Sequence, residues 1–113
     1  MFAFWSWLTH PDNLPMMRLL FEAHVLAMRV PDAFKAYLAG TSTSWMALIL
    51  ERMPPSPEAP VIATLCGAIL DGLLLEYLST GDLTRTSEAL AFFSRLMQGR
   101  PLPPSPTHPK EPA

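Results

Sequence analysis

Apolar residues along this chain recur at spacings of three and four, and no stretch alternates with period two long enough to make a strand. The pattern predicts an all-α fold, a bundle of about five to six helices. Residues 2–8 form a short first helix, and Pro11 breaks it, because the residue before a proline is excluded from helical geometry. Asp12 or Asn13 caps the next helix, with Pro15 tolerated in its first turn, and that helix runs to about Arg29. Met17, Phe21, His24 and Met28 fall on one of its stripes, whereas Arg18 and Glu22 form an i, i+4 pair on another, a solvated face. A third helix starts at Pro31 and reaches Ala39. Gly40 and the hydroxyl run after it predict a break or kink. A fourth helix carries Trp45 to about Met53, and the proline-rich stretch 54–60 is a loop.

Residues 61–79 differ from the rest. Leu65, Cys66, Ile69, Leu70, Leu73, Leu74 and their neighbours go nearly all the way round a helix, and a helix apolar on every side must be covered on every side. Gly81 supplies its left-handed end, and Asp82 or Thr84 caps the last helix, which runs to about Gln98. That helix is also apolar beyond one stripe. Two such helices in succession predict a homodimer in which they form half of an intermolecular four-helix bundle. The interface so predicted comprises Leu65, Ile69, Asp71, Gly72, Leu73 and Leu74, with Leu90, Phe93 and Met97 from the last helix. Asp71, a charge in the middle of the most apolar helix, either lies on a wet edge or pairs with an arginine such as Arg95, or else sets register across the interface while Gly72 admits a close partner.

With 113 residues the chain has room for one core, and 50% hydrophobic against 16% charged residues is too apolar for a disordered chain. A composition shift divides it. Residues 1–98 are the folded body, while 99–113 hold six of the thirteen prolines, which predicts an extended or disordered tail. The tail's Arg100-Pro-Leu-Pro-Pro-Ser-Pro106 has the spacing read by polyproline-recognition domains, a spacing that short proline runs often reach by chance. A net charge of −2 with scattered Lys and Arg disfavours nucleic-acid binding by this chain. The longest uncharged stretch, residues 36–50, contains Gly40 and four hydroxyl residues and falls short of a membrane span. The apolar opening lacks a basic leader, so the expected location is the cytoplasm.

Little in the sequence points to chemistry. Cys66 is alone, and Glu22 and His24, two residues apart, point about 200° apart on a helix and cannot share a metal. Gly40-Thr-Ser-Thr-Ser44 lacks the second glycine and the strand of a nucleophile elbow. No cofactor or metal is expected. What remains is a collection of aromatic and thioether side chains: Trp5, Met17, Phe21, His24, Met28, Tyr37 and Trp45. These residues serve equally as ordinary core or as the wall of an apolar-ligand pocket, with His24 to orient the ligand. The pocket is expected in the helices before Pro54, leaving the last two for each other and for the partner. A small helical enzyme, with His24 as general base assisted by Glu22 or Asp71, and a scaffold docking through the tail are the alternatives.

The run 63–90, with Asp71-Gly-Leu73 in its first helix and the Gly81-Asp82 turn before its second, resembles the end of TetR-family transcriptional regulators. Residues 7–22, from Trp7-Leu-Thr-His-Pro11 through Glu22, look like that family's first long ligand-domain helix and its lead-in. The resemblance covers the whole body but not the basic helix-turn-helix head. It implies an effector-binding and dimerisation domain. A small hydrophobic effector bound there would control operator DNA binding through the head of an intact regulator.

Overall fold

The computed structural model describes residues 1–99 and contains five helices, with no strand among those residues. They are α1 (Phe2–Leu8), α2 (Leu14–Arg29), α3 (Pro31–Leu50), α4 (Ala59–Thr80) and α5 (Leu83–Met97). The proposed tail and its proline motif fall almost entirely on residues 100–113, outside the described residues.

The turns follow from local chemistry. Asn13 stands at the start of α2, but its side chain does not cap that helix. Its amide donates instead to the Trp7 carbonyl at 2.8 Å and ties the end of α1 to the start of α2. Gly81 takes the left-handed conformation at φ 72°, its N–H donating to the Tyr77 carbonyl, and closes α4. Asp82, not Thr84, caps α5: its carboxylate accepts from the Arg85 backbone N–H at 3.0 Å. Arg85 in turn reaches Glu76 at 2.7 Å and buttresses the α4–α5 corner from outside.

One expected break is not there. Residues 31–50 form a single helix through Gly40, which reduces the count to five. The hydroxyl run does not compete with the helix; it bonds back onto it. Thr43 Oγ1 donates to the Ala39 carbonyl and Ser44 Oγ to the Gly40 carbonyl, both at 2.9 Å, so the side chains double the ladder they were expected to interrupt.

The core sits where α1, α2, α4 and α5 meet, with Trp5, Leu8, Met17, Leu70, Leu74 and Leu90 as its buried members. Trp5 is held by a hydrogen bond from its Nε1–H to Ser87 Oγ at 2.9 Å, which spans the chain from α1 to α5. Leu90 has no exposed surface and Leu74 only 3%. Both are consumed inside the chain, which corrects their assignment to an intermolecular interface. Ile69 and Leu73 also pack against the core, half-buried, as is Phe93.

Helix α4 carries two apolar seams. Ala59, Ala63, Cys66, Leu70 and Leu74 face inward and are buried. About 200° around the axis from this face, Val61, Leu65, Ala68, Gly72 and Leu75 repeat every four and three residues and are exposed. Leu65 and Leu75 keep about half of their surface in solvent. By length and composition α4 is also, among the described residues, the one helix long and apolar enough to cross a membrane. A count of uninterrupted uncharged residues overlooks it because Asp71 divides the run.

Helix α3 lies against α2 and α4 without burying any of its 20 residues fully. It approaches α4 at Gly67, where a Cβ would meet Ile49 Cδ1 at 3.5 Å.

Candidate functional site

An apolar groove opens on each side of α3. Trp45 and Ile49 line both, as do Phe4 from α1 and Leu70 from α4.

The first groove, of about 350 Å³, lies between α2, α3 and α4. Met17, Phe21 and His24 reach it from α2, Tyr37 and Trp45 from α3. Five of the seven residues read from the sequence as a ligand wall are therefore together. The other two are not. Trp5 is a core residue bonded to Ser87, and Met28, one turn beyond His24, points into solvent with 54% of its surface exposed. Met17 is only 3% exposed, so it shapes the floor more than it offers contact.

The remaining wall comes from α4, whose surfaces the sequence assigns to the last helix and to the partner. Ala63, Thr64, Gly67 and Ala68 form it, with Asp71 at one end. The small side chains at 63, 67 and 68 leave the space, and their clustering on one turn was the available signal. The polar groups of the groove are His24, Tyr37, Thr41, Ser42, Thr64 and Asp71. Among the described residues Asp71 forms no ion pair. Arg95, one of the alternatives for its partner, lies over the Phe92 ring at 5.7 Å instead. Solvent reaches Asp71 from the open side, but the apolar walls strip part of its hydration and push its carboxyl above the usual carboxylate range. His24 on the facing helix pulls it the other way.

The second groove, of about 780 Å³, lies on the other side of α3. An aromatic ladder lines it: Phe4 stacks on Trp7 at 6.3 Å between ring centroids and meets Trp45 at 5.4 Å, tilted by 52°. Met97, assigned from the sequence to the dimer interface, lines this groove, as does Cys66. Burial pushes the Cys66 thiol up, so at neutral pH it is a protonated, unreactive wall residue. The only Lys or Arg among the described lining residues is Arg52, which donates to the Leu48 carbonyl at 3.2 Å. Nothing in the spacing of apolar residues marks this groove, since it depends on where α1 docks.

Of the predicted interface, Leu65, Asp71, Gly72 and Met97 remain exposed. No group of three His, Cys, Asp or Glu side chains able to hold a metal occurs among the described residues. No protein-family model, curated protein or solved structure matches the chain.

Proposed function

We propose that the chain is an effector-binding and dimerisation domain of a TetR-like regulator, working in the cytoplasm and taking a small apolar ligand beside α3. Operator DNA would be engaged only through a helix-turn-helix head carried by an intact regulator. The observation that supports this most is α3 itself: a 20-residue, largely apolar helix that buries none of its residues and leaves a groove on either side. A ligand in either groove completes the packing of α3 and shifts a rigid wall as a unit. The unbroken helix takes the place of the hinge expected at Gly40. The outward seam of α4 supports self-association, because five consecutive heptad positions present apolar or small residues to solvent.

Plugging the grooves tests the binding reading. Ser42→Trp fills the α2–α3–α4 groove and Leu48→Trp the other, from exposed positions that leave the core untouched. Each variant should keep its helix content and take up less of a hydrophobic dye than the parent. Uptake unchanged in both would remove the grooves as binding sites.

A second reading rests on one observation. His24 and Asp71 share a groove, and His24 lies close enough to favour the charged form of the Asp71 carboxyl, the placement of a base beside a carboxylate that could orient it. His24→Gln separates the two. A sensor keeps its fold and changes its ligand preference, whereas an enzyme loses turnover.

A further inference from the structure

The charge pattern of the smaller groove identifies the class of ligand. Its described lining includes no Lys or Arg; the ionisable groups facing it are Asp71 from α4, His24 from α2 and Tyr37 from α3. Asp71 has no ion-pair partner among the described residues and sits against apolar walls. Such a carboxylate, open to solvent on one side but set against apolar walls and facing His24, which forms no ion pair with it, gains from an arriving cation. Phe21, Tyr37 and Trp45 add ring faces, which attract a cationic nitrogen as well as an apolar body. An anionic amphiphile would meet Asp71 with no fixed positive charge to offset it. The volume, about 350 Å³, is near the lower end of ligand pockets and suits a molecule of one ring and a short chain.

We propose that the α2–α3–α4 groove binds a small lipophilic cation, an amine or quaternary ammonium whose nitrogen pairs with Asp71 while its apolar body lies along Phe21, Tyr37 and Trp45. The proposal rests on the reading of this groove as a ligand site and specifies what that site selects.

Two probes with the same skeleton test it: phenylbutylamine, cationic at neutral pH, and phenylbutanol, neutral. Calorimetric titration of the full chain should show the amine binding about tenfold tighter, which corresponds to about 1.4 kcal/mol. Asp71→Asn should bring the amine down to the level of the alcohol, and Asp71→Glu, which restores the charge, should recover part of the preference. Circular dichroism confirms that both variants are folded. If the alcohol binds and the amine is no tighter, or if the preference survives Asp71→Asn, the cation assignment is overturned while the groove stands as a ligand site. If neither probe binds at millimolar concentration, the groove reading fails and the assignment with it.

Discussion

Gly72→Ala separates what the chain does alone from what its outward seam does. Gly72 lies in the interior of α4, has ordinary negative φ, and a Cβ built there meets nothing within 4 Å. Inside one chain the substitution therefore has no steric cost and removes only the entropic penalty of a helical glycine, about 0.5–1 kcal/mol. For a folded body of this size, about 1 kcal/mol moves the melting temperature by roughly 4–8 °C, so a rise of about 2–8 °C is expected in a dilute thermal melt followed by circular dichroism. Across an interface the sign reverses. Gly72 and Ala68 are the small members of the seam, flanked by Leu65 and Leu75, and an added methyl there holds a partner helix away. Sedimentation should accordingly show weaker self-association. Gly40→Ala is the control: it too meets nothing within 4 Å, so it should raise the melting temperature without changing association. A lower melting temperature for Gly72→Ala at dilution would refute the intrachain geometry. Association equal to that of the parent would refute the seam as an interface.

Two further outcomes follow from burial. Leu74→Asp should abolish the cooperative fold, because it places a charge where 3% of the side chain is exposed, whereas Leu65→Asp at 52% exposure should remain folded in a denaturant melt. Asp71→Asn should raise stability at neutral pH, with the gain shrinking on acidification. The raised folded-state pKa of Asp71 means that the folded chain holds this proton more tightly than the unfolded one. Its stabilising share is present at low pH and is lost as pH rises through the ordinary carboxylate range and then the raised value. Chemical denaturation across that range, with His24 and Tyr37 as the other titratable groups facing the groove, checks the sign.

Helix positions were legible because proline, glycine and acidic residues punctuate the chain at nearly every boundary, with Gly81 and Asp82 as the clearest cases. Helix propensity alone predicts a break at Gly40, but it takes no account of where the hydroxyls bond. Thr43 and Ser44 satisfy themselves on their own helix. The stripe of Met17, Phe21 and His24 led to the α2 side of a groove, since residues at helical spacing share a face wherever the helix docks. The opposite wall was not legible. The apolar circumference of α4 shows that all of its faces need cover, but not which face meets α3, which meets the core and which is left outward. Trp5 illustrates the same limit: its partner Ser87 is 82 positions away, and no local pattern links them.

The claim that α4 divides its two seams between its own core and a second copy is tested most directly by sedimentation velocity of the full chain from low micromolar concentration upward, alongside Leu65→Asp. The account predicts that the parent sediments at twice the single-chain mass of 12.5 kDa and that the variant sediments as a folded single chain. A parent that is well folded and remains a single chain throughout that range would contradict it.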